Sequence, residues 1–209
     1  MPPITERSQT QFTFLALGDS YTIGEGVEIS QRWPMQLARR LREEGVSIAD
    51  PRIIATTGWT TDELAAGIER AQIRESYGLV TLLIGVNNQY RGRGVEEYRS
   101  EFRALLAQAI AFADNKPTHV VVLSIPDWGV TPFATGRNPE QISQEIDLFN
   151  AVNRTESADA GVGYVDITPI SRQAANDLSL LAGDQLHPSG TMYEGWVELL
   201  LPVVKERLQ

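Results

Sequence analysis

Five short runs of apolar, largely β-branched residues recur along the chain, at 12–17, 52–56, 79–84, 119–125 and 162–167, with helical periods between them. The third and fourth, Leu79-Val80-Thr81-Leu82-Leu83-Ile84 and Val120-Val121-Val122-Leu123-Ser124-Ile125, are apolar almost without a break. Strands buried on both faces read this way, and that is the signature of a parallel sheet covered by helices. Of the helical periods, Trp33, Leu37 and Leu41 recur every four residues, as do Leu64 and Ile68. Phe102, Leu105, Leu106, Ala109, Ile110 and Ala113 make a long stripe, and Ile142, Ile146 and Phe149 a shorter one. Met192, Trp196, Leu199, Leu200 and Val203 mark a last helix. Thr60, with Glu63 three residues on, is a capping-box signal for the second helix. These stripes are read as core packing. The pattern predicts one β-α-β-α domain over residues 12–209 with right-handed crossovers. The polar, Pro-containing segment 1–11 ahead of it is expected to be flexible.

In such an architecture the site lies beyond the carboxyl ends of the strands, near the switch in strand order. The strand tips are Gly18-Asp19-Ser20-Tyr21, Thr56-Thr57-Gly58-Trp59, Gly85-Val86-Asn87-Asn88, Pro126-Asp127-Trp128 and Thr168-Pro169. All should converge on one rim.

Composition narrows what that rim can do. Asp and Glu outnumber Lys and Arg by 27 to 18, a net charge of −9, which repels phosphate backbones and anionic lipid. Nucleic acid is therefore not an expected partner. The absence of cysteine removes disulfides, thiolate metal sites and a cysteine nucleophile. No run of 18 apolar residues marks a membrane span. Met1-Pro2-Pro3-Ile4-Thr5-Glu6 does not read as a secretory signal, so the cytoplasm is the expected compartment. A monomer and a homodimer both fit the sequence.

Acyl transfer through serine needs a hydroxyl, a base, a group that orients the base, and donors for the oxyanion. Of the two histidines, His119 precedes the fourth strand and falls at the amino end of the sheet. His187 precedes the last helix, in the connection returning from the fifth strand, which makes it the candidate base for Ser20. Asp184, three residues earlier, is favoured as the orienting carboxylate because a turn places it beside the imidazole. Asp177 is the rival. The Ser20 N–H, the Gly58 N–H and the Asn87 side chain are candidate oxyanion donors. His187 must be neutral to act, so activity should rise with pH through the range where imidazole loses its proton.

Gly18-Asp19-Ser20, Gly58, Gly85-Val86-Asn87-Asn88 and Asp184-Gln185-Leu186-His187-Pro188 together resemble the four sequence blocks of the SGNH (GDSL-type) hydrolases, from residue 12 to the final helix. The resemblance implies a three-layer α/β/α, flavodoxin-like fold with a five-stranded parallel sheet. It also implies Ser20 as nucleophile, His187 as base, Asp184 as its partner, and an oxyanion hole of Ser20, Gly58 and Asn87. Two positions depart from the family pattern: Asn88 stands where aspartate is usual, and Tyr21 where leucine is. Neither removes a catalytic role, and position 88 is expected to support the loop that carries Asn87.

The expected activity is cofactor-free and metal-free hydrolysis of small carboxylic esters, short-chain acyl or acetyl, through an acyl-enzyme. Sugar deacetylase, lysophospholipase and thioesterase activities are alternatives within the superfamily. Trp59, Tyr90, Trp128 and Phe133, with Ile23 and Val27, are candidates for an acyl or aryl pocket, and Asp19 and Asn88 are further candidates for substrate contact. Arg91 and Arg93 could meet an anionic substrate group, with solvated loop charges as the plainer reading. From another class, the loop Ser20–Gly26 could cradle phosphate as a flavodoxin-like binding module, although Glu25 within it opposes an anion. A catalytically silent scaffold is a third reading.

Overall fold

The computed structural model describes residues 11–209, so all but Gln11 of the segment expected to be flexible lies outside the described residues. In chain order the elements are β1 (Phe14–Asp19), α1 (Ser20–Ile23), α2 (Trp33–Glu43), β2 (Arg52–Thr56), α3 (Thr61–Ala71), β3 (Leu79–Leu83), α4 (Val86–Tyr90) and α5 (Val95–Phe112). They continue with β4 (Val120–Leu123), α6 (Pro139–Asp159), β5 (Gly163–Val165), α7 (Thr168–Ser171) and α8 (Gly190–Arg207). The five strands form one parallel sheet in the order β2-β1-β3-β4-β5.

Helices cover both faces, giving an α/β fold of three layers. The α2 helix packs on α8, while α5 packs on both α3 and α6. Strands β1, β3 and β4 are buried along their whole length, as their unbroken apolar runs require. Trp33, Leu37 and Leu41 of α2 and Trp196 and Leu200 of α8 are fully buried. Each such leucine removed from water contributes about 1.5–3 kcal/mol.

The chain steps from β1 to β2 on one side, then crosses back to β3 on the other. The switch in strand order therefore lies between β1 and β3, whose tips carry Ser20 and Asn87. That is the position where open α/β sheets place their ligands.

Several boundaries differ from the pattern. The first strand begins and ends two residues later than 12–17: Phe12 makes only an isolated bridge to Ile48, while Gly18 and Asp19 stay paired with Ala55 and Thr56. The fourth and fifth strands stop early because side chains take over their backbone bonds. Asn150 accepts from Ile125 N–H at 2.8 Å, and Ser124 Oγ accepts from Ile167 N–H at 2.8 Å. The stripe ending at Phe149 belongs to a helix that runs on to Asp159, because buried polar residues continue its inner face. Among them, Asn153 accepts from the Tyr98 hydroxyl at 2.5 Å, and Glu156 binds Arg99 and Arg103. Among the described residues no helix is long and apolar enough to cross a membrane.

Candidate active site

Ser20 opens α1 directly after the tip of β1. Asp19 caps that short helix, its Oδ1 accepting from Tyr21 N–H at 3.0 Å. His187 arrives from the far end of the chain on a turn that its own aspartate builds. Asp184 Oδ1 accepts from the N–H groups of Leu186 and His187, both at 3.0 Å. The turn is closed by Ala182 N–H donating to the His187 carbonyl at 2.7 Å, and it holds Gln185 at φ 60°. The other carboxylate oxygen, Oδ2, lies 2.6 Å from His187 Nδ1. One side chain thus shapes the backbone with one oxygen and orients the imidazole with the other.

An ionised carboxylate only accepts, so Nδ1 carries the ring proton and Nε2 is left as the acceptor. Nε2 lies 2.9 Å from Ser20 Oγ. The imidazole is buried and packs on the ring of Tyr21, with centroids 5.1 Å apart. Tyr21 is held in turn by the Tyr193 hydroxyl of α8, which donates to its carbonyl at 3.0 Å. An aromatic residue at position 21 thereby gives the imidazole a wall. Partial burial raises the Asp184 pKa, but hydrogen bonds from the His187 ring and from the His187 and Leu186 N–H groups outweigh it. The carboxyl is held below its ordinary value. The rival Asp177 is taken up by Ser179 N–H and Oγ. His119 sits in the turn ahead of β4, edge-on to Phe12 at the amino end of the sheet.

Gly58 adopts φ 80°, in the left-handed region that favours glycine, on the turn between β2 and α3. Its N–H donates to no described residue. Its carbonyl accepts from Arg91 Nη2 at 2.6 Å, and Arg91 Nη1 pairs with Glu63 at 3.0 Å. Arg91 therefore braces the Gly58 peptide, and Arg93 pairs with Asp62 at 2.7 Å. Both arginines are engaged by carboxylates within the protein. The Asn87 amide donates to the Trp59 carbonyl at 3.0 Å and to Asp19 Oδ2 at 3.2 Å. Both of its protons are taken, so donating to a substrate oxygen means exchanging one of these bonds.

A cavity of about 160 Å³ opens over this rim, lined by Ser20, His187, Thr57, Gly58, Asn87 and an apolar wall. Tyr90, Trp128 and Phe133 form part of that wall and pack on one another with ring centroids 5.3–6.3 Å apart. The other residues singled out for substrate contact do not line it. Asp19 and Asn88 are fully buried. Trp59 turns onto α3, where it covers Gly67 and lies 5.9 Å below the Arg70 guanidinium. Ile23 and Val27 also lie outside the lining, whereas Tyr21, Thr57, Val86 and Leu186 belong to it.

Asn88 ties α4 to the start of α3, accepting from Thr61 N–H at 3.1 Å and donating to Thr61 Oγ1 at 2.6 Å. The Thr61 hydroxyl gives its own proton to Glu101, so the group at position 88 must donate. An amide can do so and an ionised carboxylate cannot. That accounts for asparagine in place of the usual aspartate. Among the described residues no group of three His, Asp or Glu side chains is placed to hold a metal ion.

The model of the GDSL-like lipase/acylhydrolase family matches residues 16–194. The chain belongs to that family. As a GDSL-family member it is a hydrolase, and solved structures share its fold. TesA superimposes with a TM-score of 0.74 at 20% identity, covering 93% of this chain and 99% of that one. The lipase/acylhydrolase from Enterococcus faecalis gives 0.74 at 20% identity, covering 95% and 98%. An acetylxylan esterase from Geobacillus stearothermophilus gives 0.66 at 17% identity, covering 94% of each chain. No curated protein sequence matches this GDSL hydrolase.

Proposed function

We propose that the protein is a serine esterase that cleaves carboxylic esters with small acyl groups, acetyl or short-chain, through Ser20, His187 and Asp184. The observation that carries this reading is the unbroken relay from Asp184 Oδ2 through His187 to Ser20 Oγ, at 2.6 and 2.9 Å. Ser20 Oγ attacks the ester carbonyl carbon while its proton passes to Nε2, forming a tetrahedral intermediate. The imidazolium then gives that proton to the departing alkoxide, leaving an acyl group on Ser20. Water enters, loses a proton to Nε2 and attacks the acyl carbon. The acid departs and Ser20 regains its hydrogen. The developing oxyanion is received by the N–H groups of Ser20 and Gly58, with the Asn87 amide shifting from one of its present partners. Losing one such donor typically costs about 10²–10³ in turnover.

The acyl group is assigned to the side walled by Tyr90, Trp128 and Phe133. The cavity is small, about 160 Å³, which suits a short chain. The phosphate-cradle alternative loses ground, because the Glu25 carboxylate within that loop lies 3.9 Å from His187 Nε2, beside Ser20, and opposes an anion there. The deciding experiment is Ser20→Ala assayed on chromogenic acyl esters of graded length. The variant is expected to fold and to lose at least about 10⁴-fold in kcat, with the wild type preferring short acyl groups. Retained turnover in Ser20→Ala would exclude the scheme.

A further inference from the structure

The segment Gly24-Glu25-Gly26 follows the nucleophile and enters none of the steps above. The chain reverses after α1, and Glu25 N–H donates to the Ser20 carbonyl at 3.1 Å. Gly26, at φ 81°, lies against the turn that carries Asp184: a Cβ there would come within 2.8 Å of Ala182 Cβ. Glu25 is thus held between the two ends of the chain that supply Ser20 and His187. Its Oε2 lies 3.9 Å from His187 Nε2, the nitrogen that faces Ser20. The same oxygen accepts from Thr57 Oγ1, a group on the cavity wall. No Lys or Arg pairs with Glu25 among the described residues, and 36% of its side chain is exposed.

Nε2 has a second duty that places the substrate around this carboxylate. It returns its proton to the departing oxygen, so that oxygen must come within hydrogen-bond reach of it. The alcohol portion of the ester therefore passes beside Glu25, while the acyl portion faces the aromatic wall. We infer that Glu25 selects the alcohol portion by charge, accepting cationic or hydroxyl-bearing alcohols and rejecting those that carry phosphate. This rests on the Ser20–His187 reading of the site. A hydroxyl or a cation finds an oriented acceptor there, whereas a phosphate meets an unpaired negative charge.

Three acetates of matched size test it: acetylcholine, its neutral isostere 3,3-dimethylbutyl acetate, and 2-acetoxyethyl phosphate. For the wild type, kcat/KM for the cation over that for the anion is expected to be at least about tenfold, shrinking in 1 M salt. Each ester is referred to the neutral one within the same variant, so a general loss of activity cancels. In Glu25→Gln the cation-to-anion ratio should fall toward one, and in Glu25→Lys it should invert. A ratio unchanged in Glu25→Gln, with Ser20→Ala inactive on all three esters, would overturn the role of Glu25 alone. Turnover surviving in Ser20→Ala would instead overturn the reading beneath it.

Discussion

Asp184, on the turn before α8, and Asp19, at the tip of β1, stand on either side of Ser20, and the fold treats their carboxyls in opposite ways. Asp184 remains partly exposed and receives three donors, two from the backbone and one from the imidazole. Those donors outweigh its partial burial and hold its pKa down. Asp19 is fully buried with two donors, Tyr21 N–H and the Asn87 amide, and its pKa is pushed up to about 7. There burial dominates what the hydrogen bonds return. The imidazole thus leans on a permanent anion. The Asn87 amide leans on a carboxyl whose charge changes near neutrality.

The most severe way to break this contrast is Asp184→Asn. The substitution keeps the size, but its amide offers protons where Nδ1 must donate, so the ring takes the wrong tautomer. A fall of about 10⁴ in kcat is expected; a loss under tenfold would mean that Asp184 shapes the turn without orienting the ring. Next is Asp19→Asn, which cannot accept from both Tyr21 N–H and Asn87. Asn87 should drift from its position, lowering kcat by up to about 10²-fold with a smaller change in KM. An unchanged kcat would show that Asp19 serves only to cap α1.

The pH dependence of stability sharpens the same contrast with a smaller effect. The Asp184 pKa is lowered by folding, so its contribution is present above the unfolded value and is lost as pH falls through the folded one. The Asp19 pKa is raised from 3.8 to about 7, so its contribution is full below 3.8 and is lost as pH rises through about 7. Melting temperatures measured between pH 4 and pH 8 should therefore fall less on the alkaline side in Asp19→Asn than in the wild type. Parallel curves would contradict the assignment.

Much of this arrangement was legible in the sequence because its key parts are local motifs at strand tips. The i, i+3 spacing of Asp184 and His187 encodes its own turn, and alternation of apolar runs with helical stripes says which tips share a rim. The direction of each side chain was not legible. Trp59 follows a strand tip like Trp128 but turns onto Gly67, a contact that only the packing of α3 creates. Asn88 neighbours Asn87 yet points inward, because one turn of α4 sends adjacent side chains apart. The sequence places Glu25 only in the loop after Ser20, as a charge opposing an anion; its nearness to His187 comes from the packing of Gly26 on the Asp184 turn. The length of α6 was hidden for a related reason: Asn153 and Glu156 are polar, and their burial depends on partners in α5.

The central claim is that Ser20 is the activated hydroxyl and that His187 activates it. Its most direct test is reaction with a fluorophosphonate followed by mass-spectrometric mapping of the adduct. One phosphonyl group per chain is expected, on Ser20, with activity lost in proportion and labelling sharply slowed in His187→Ala. Inactivation with Ser20 unmodified, or labelling of Ser20 at equal rates with and without His187, would contradict it.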